Sequence, residues 1–113
     1  MAATFDKEGA LDRVDGDRQL LKDLIRLCRE QYHSRLPAME GMLRVDDFAS
    51  IATSAHALKG SFGNVGGEAV VMVAAQLEHA AKLGEGESVS ELLASLAVEI
   101  DEFFEVACEE LGG

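Results

Sequence analysis

The most regular pattern in the chain is the recurrence of apolar residues at intervals of three and four, which is typical of amphipathic helices. The pattern occupies four long stretches and one short stretch near the amino terminus. No alternating apolar and polar pattern of the kind that strands show competes with it. The sequence therefore predicts an all-α protein.

The first half of the chain predicts a short helix followed by a long one. The short helix spans about residues 6–14 and is broken by Gly16, after which Asp17 can cap the next helix. The long stripe passes through Pro37, a residue that normally kinks or ends a helix. Because its phase continues past Pro37, we expect one long kinked helix, with a break at Pro37 as the alternative. The stripe comprises Leu21, Ile25, Cys28, Tyr32, Leu36, Met39 and Leu43.

The second half predicts three more helices. Asp46 is expected to cap the first, residues 64–67 form the turn after it, and the second ends at Lys82. Ser88 and Glu91 have the spacing of a capping box and are expected to begin the last helix. The apolar stripes of the three helices are, in order, Phe48, Ile51, Ala55, Leu58 and Phe62; Val70, Val73, Ala74, Leu77 and Ala81; and Leu92, Leu93, Leu96, Ile100, Phe103, Ala107 and Leu111.

Four long amphipathic helices joined by short loops predict an antiparallel up-down-up-down four-helix bundle with an additional short N-terminal helix. The chain has 113 residues, 48% of them apolar, which suits one hydrophobic core and a single domain over residues 1–113. Such a bundle closes its own core without a partner helix. We therefore expect a monomer.

Charge and hydropathy exclude several classes of partner and location. The formal net charge of −11 disfavours nucleic acid and anionic membrane surfaces, which are bound through basic faces. The sequence has no secretory signal and no apolar run of about 18 residues. These features favour a cytoplasmic protein without a membrane span.

The cysteines and most of the methionines receive structural interpretations. Cys28 and Cys108 have neither CxxC nor zinc-site spacing, and both lie in amphipathic stretches, so we expect reduced core cysteines. Met39, Met42 and Met72 are interpreted as core filler.

His56 is the residue best placed for chemistry. On a helical wheel it lies about 200° from Leu58 of the apolar stripe. Glycine inside a helix costs roughly 0.5 to 1 kcal/mol relative to alanine, so glycines on this face predict the close approach of a partner. The alternative is a solvent-exposed histidine without a role. The residues on the same side as His56 are small or cationic: Ala52, Lys59, Gly60 and Gly63.

The chemistry open to His56 is that of a nitrogen nucleophile. A neutral imidazole can accept a phosphoryl group, and the ammonium of Lys59 one turn away would offset the new negative charge. No Asp or Glu adjoins His56 in the sequence to complete a triad, so hydrolysis is disfavoured. His33 and His79 lack both the glycine and the lysine, and we interpret them as surface residues.

Nearly the whole chain resembles one known family. The segment AHALKGS at residues 55–61, followed by GNVG at 63–66, resembles the signature of histidine-containing phosphotransfer (HPt) domains of multistep phosphorelays. Residues 5–21 resemble the opening of that family, and residues 77–81 resemble its following helix.

The resemblance assigns roles to particular residues. It implies that His56 is the phosphoacceptor, that Lys59 stabilises the phosphoryl charge and that Gly60 opens the face to a partner. Glu78 becomes a candidate to orient the imidazole, with an ordinary solvated glutamate as the alternative. The expected docking surface for the partner is Ala52, Gly60, Gly63 and Glu78.

The function implied is a phosphocarrier of two-component signalling and not an enzyme. Its partners would be response-regulator receiver domains and a sensor (hybrid) histidine kinase, and any magnesium would be bound by the receiver. The chain needs no cofactor of its own, and no nucleotide fingerprint such as GxxxxGK occurs. Two alternatives remain: a helical module that binds a receiver or a kinase without accepting phosphate, and a histidine-dependent hydrolase.

Overall fold

The computed structural model describes residues 2–112, in which five helices and no strand occur. The prediction of an all-α protein is therefore confirmed for this part of the chain. The helices are α1 (Lys7–Arg13), α2 (Arg18–Arg44), α3 (Phe48–Asn64), α4 (Glu68–Lys82) and α5 (Gly86–Leu111).

The four long helices pack around one hydrophobic core. Each packs against the next in the chain, and α5 also packs against α2. The most extensive packing is between α3 and α4, the pair of helices on which the candidate site lies. Phe62 and Phe103 are fully buried at the centre, with their rings edge to face and centroids 5.4 Å apart.

The N-terminal segment is tied to the turn between α3 and α4. The Asp6 amide donates a hydrogen bond of 2.8 Å to the Gly66 carbonyl, and the Phe5 ring lies edge to face with Phe103 at 5.6 Å. Gly66 has a φ of +79°, and a Cβ there would lie 2.5 Å from the Asp6 carbonyl oxygen. Only glycine fits this close approach.

Side-chain caps begin three of the five helices. Asp6 and Asp17 cap α1 and α2 through their side chains, which confirms the prediction for Asp17. The predicted cap of α3 at Asp46 was wrong. Asp47 accepts the hydrogen bond from the Ser50 amide, whereas Asp46 adopts a left-handed φ of +55° in the turn after α2.

Two other predicted boundaries have clear outcomes. The proposed capping box at Ser88 and Glu91 was wrong, because α5 already begins at Gly86 and both residues lie inside it. The alternative of a break at Pro37 was also wrong, since α2 continues through it. Proline has no N–H to donate to the carbonyl four residues earlier, that of His33. Because Pro37 and His33 are both exposed, water can hydrogen-bond to this carbonyl instead.

The two cysteines differ in burial, and so do Met39, Met42 and Met72. Both cysteines are free thiols, with Cys28 buried as predicted, but Cys108 is exposed. Cys108 follows the buried Ala107, and one residue turns the helix by about 100°, which carries its side chain off the core face. Among the methionines, Met39 is buried and Met42 half-buried, whereas Met72 is 51% exposed, so its assignment to the core was wrong.

Within residues 2–112, no helix is long and apolar enough to span a membrane.

Candidate functional site

Helix α3 turns the His56 side chain towards solvent. The stripe predicted to face the core is buried at Ile51, Ala55, Leu58 and Phe62, each at most 1% exposed. His56 is offset from this stripe, and its side chain is 69% exposed. The packing that holds α3 therefore does not involve the imidazole.

Glu78 of α4 lies against His56. Its neighbour Leu77 is in the core, and the turn of the helix places Glu78 at the seam between α4 and α3, where the residue is only 8% exposed. Its Oε2 atom lies 3.2 Å from His56 Nδ1. The alternative of an ordinary solvated glutamate was wrong.

Two lysines hold the Glu78 carboxylate. Lys59 donates to Oε1 at 2.9 Å from α3, and the Lys82 ammonium lies 3.3 Å from Oε2, one turn further along α4. The hydrogen bond from Lys59 lowers the pKa of Glu78 from its ordinary 4.5 to about 2, burial opposes this shift, and Lys82 reinforces it. Glu78 is therefore ionised at neutral pH and can only accept hydrogen bonds.

The position of Glu78 determines which imidazole nitrogen is free. In a neutral ring one nitrogen carries the proton and the other a lone pair, and the nitrogen facing a carboxylate is the one that donates. His56 Nδ1 thus donates to Glu78, and the lone pair remains on Nε2. The exposed ring therefore has one nitrogen, Nε2, whose lone pair is not directed at Glu78.

The sequence interpretation missed Lys82 as a member of this site. A signal was present, because Glu78 and Lys82 stand four residues apart with the glutamate first, the favourable order for a helical ion pair. The signal could not be connected with His56 without knowing how α3 packs on α4.

The two glycines on the His56 side have different surroundings. A Cβ added at Gly60 would meet no heavy atom within 4 Å, so the face beyond His56 is open there. A Cβ at Gly63 would lie 3.7 Å from Val71 Cγ2 of α4, an ordinary van der Waals contact. Gly63 is half-buried against α4, so its surroundings are less open than those of Gly60.

A shallow hollow of about 420 Å³ adjoins the imidazole on the side of the α3 amino terminus. Ala52, only 6% exposed, forms part of its floor. The hollow is lined by Ala49, Ala52, Thr53, His56, Glu78 and Lys82.

The other histidines have the surroundings predicted for them. His33 and His79 are both exposed on their helices. Among residues 2–112, no group of three or more His, Cys, Asp or Glu side chains could hold a metal ion.

Comparison with known proteins identifies a family. The model of the Hpt domain matches residues 23–106, well over half of the chain. This range contains all of α3 and α4, including His56, Lys59, Glu78 and Lys82. No curated protein and no solved structure matches the chain significantly.

Proposed function

The chain belongs to the Hpt domain family, whose members carry phosphoryl groups in phosphorelay signalling, and we propose that His56 is its phosphoacceptor. In this proposal His56 receives a phosphoryl group from the aspartyl phosphate of a receiver domain and passes it to the aspartate of another receiver. The observation that carries the proposal is the exposed imidazole whose Nδ1 faces the ionised Glu78.

The transfer step follows from the state of the imidazole. The Nε2 lone pair attacks phosphorus, the P–N bond forms, and the bond from phosphorus to the aspartyl oxygen breaks to leave a carboxylate on the receiver. The Nδ1 proton stays on the ring, so the product is a phosphorylated imidazolium. Glu78 favours this product, because its carboxylate accepts a hydrogen bond from a ring that has become positively charged.

Lys59 supplies positive charge at the same place. Its ammonium lies 2.9 Å from Glu78 Oε1, and its side chain is 34% exposed, so it is neither buried nor fully solvated. A cation held beside the acceptor offsets the charge of the incoming phosphoryl group without the reorganisation that a free side chain would need.

Gly60 gives a receiver access to His56. In an α-helix, side chains lean back towards the amino terminus, so any side chain at position 60 would lie over the turn that contains His56. The open space at Gly60 supports a docking role for this face. Ala52 contributes to the same surface through the hollow beside the ring.

The remaining features of the proposal concern partners and assembly. We expect the partners to be response-regulator receiver domains and a sensor (hybrid) histidine kinase, with any magnesium bound by the receiver. The protein acts as a carrier and the partner supplies most of the catalytic groups. We also expect a cytoplasmic monomer.

The proposed topology is the antiparallel up-down-up-down bundle. Only three residues separate each long helix from the next, at 45–47, 65–67 and 83–85. Connections this short favour antiparallel neighbours.

The test is phosphate transfer from a labelled receiver. Wild type should take the label and His56→Gln should not, with nearly equal melting temperatures because the side chain is exposed. Stable binding of a labelled receiver without transfer, by wild type and variant alike, would instead favour the module that does not accept phosphate.

A further inference from the structure

We propose that Lys82 is a positioning residue of the phosphoryl site, which acts by neutralising Glu78. This inference rests on the proposed function of His56. Without a second ammonium, the carboxylate that orients the imidazole would also repel the group that the imidazole must accept.

The hollow beside His56 distinguishes Lys82 from Lys59. Both ammonium groups contact Glu78, but only Lys82 lines the hollow together with the imidazole. Its side chain is 65% exposed, so it can adjust as a partner docks, whereas the Lys59 side chain is 34% exposed. Lys82 therefore lies at the mouth of the site and Lys59 further in.

Electrostatics explains why two cations are needed. Glu78 Oε2 lies 3.2 Å from His56 Nδ1, so a phosphoryl group on Nε2 of the same ring would lie in the field of this carboxylate. Lys59 pairs with Oε1, so on its own it would leave the oxygen that faces the imidazole without a cation. Lys82 neutralises the carboxylate on the Oε2 side.

The contacts made by the two Glu78 oxygens also restrain the orientation of the carboxylate. Oε2 accepts from His56 Nδ1 and forms an ion pair with Lys82, while Oε1 accepts from Lys59. With each oxygen engaged by a lysine, the carboxylate cannot rotate away from the imidazole without losing an ion pair. We infer that Lys82 helps to hold the Nδ1–H orientation that keeps the Nε2 lone pair exposed.

The experiment measures how phosphate partitions at equilibrium between the chain and a receiver. Lys82→Gln should move the partition towards the receiver by about fivefold, the upper end of what the loss of one partly exposed ion pair produces. Lys22→Gln on α2 removes the same charge outside the site and should leave the partition unchanged. Lys82→Arg should retain most of the wild-type behaviour.

A double-variant cycle tests whether Lys82 acts through Glu78. In a Glu78→Gln background there is no carboxylate to neutralise, so the further change Lys82→Gln should shift the partition by less than twofold. A fivefold shift that persists in this background would overturn the positioning role.

The outcomes separate this inference from the proposed function. If wild type takes no label from receivers that are demonstrably phosphorylated, both fail. If wild type takes label and Lys82→Gln partitions phosphate as wild type does, only the role of Lys82 fails. A loss of thermal stability in Lys82→Gln without a change in partition would likewise mean that Lys82 merely supports α4.

Discussion

Replacing Gly60 should separate the stability of α3 from its function. Glycine inside a helix is about 0.8 to 1.0 kcal/mol less favourable than alanine, and a Cβ at this position meets no heavy atom within 4 Å. Gly60→Ala should therefore raise the free energy of unfolding by about 0.5 to 1 kcal/mol. For a domain of this size that corresponds to a melting temperature about 2 to 4 °C higher.

A larger side chain at position 60 should keep this gain but block access. Gln is nearly as good a helix former as alanine, yet its side chain would lean over the turn that contains His56. We expect Gly60→Gln to be as stable as wild type or more so, and to receive phosphate from a receiver at least tenfold more slowly, whereas Gly60→Ala stays within about threefold of wild type.

The assay pairs urea unfolding with single-turnover transfer from a labelled receiver. Gly41 of α2 provides the matched control, because a Cβ there would contact only the Arg44 side chain, at 3.8 Å. Gly41→Gln should be stabilised to a similar degree and transfer at the wild-type rate. If Gly60→Gln transfers as fast as wild type, glycine at this position has no role in access. If Gly60→Ala is destabilised, the space around Gly60 is not open.

Three further predictions concern burial, titration and capping. Burial raises the pKa of the Cys28 thiol to about 11, so a thiol reagent at pH 8 should modify only the exposed Cys108 in the native protein and both cysteines after unfolding; two fast equivalents in the native state would contradict the burial of Cys28. The pKa of Glu78 is lower in the folded state, so its contribution to stability is present above about pH 4.5 and is lost as the pH falls towards 2. Urea unfolding should therefore show a steeper loss over this range in wild type than in Glu78→Gln, and equal slopes would count against the lysine contacts. Asp47→Ala should lower the free energy of unfolding by about 1 kcal/mol, because it removes the side chain that accepts from the Ser50 amide; an unchanged value in urea unfolding would contradict this cap.

Periodicity predicted most of the helices because burial repeats along each one. For the same reason the sequence predicted that His56 points away from the core, since Leu58 and Phe62 define the buried face of α3. The residues at which helices begin were harder to predict from the sequence. Asp46 and Asp47 are chemically equivalent caps, and only the left-handed turn at Asp46 decides between them.

Contacts between side chains on two different helices could not be predicted, because the apolar pattern of each helix shows which face is buried but not how the helices pack on each other. Whether Glu78 is solvated or buried depends on the seam between α3 and α4, and so does its contact with Lys59. The same seam explains why Gly63 is half-buried, since a Cβ there would lie 3.7 Å from Val71 Cγ2 of α4.

The most direct test of the central claim is to locate the phosphoryl group on the protein. Wild type is phosphorylated by a receiver, and the modified residue is identified by fragmentation of its peptides and by ¹⁵N NMR of the intact protein. We predict a label that is stable to base and labile to acid, attached to Nε2 of His56. Label on His33, on His79 or on a carboxylate, or no label from receivers that are themselves phosphorylated, would contradict the account.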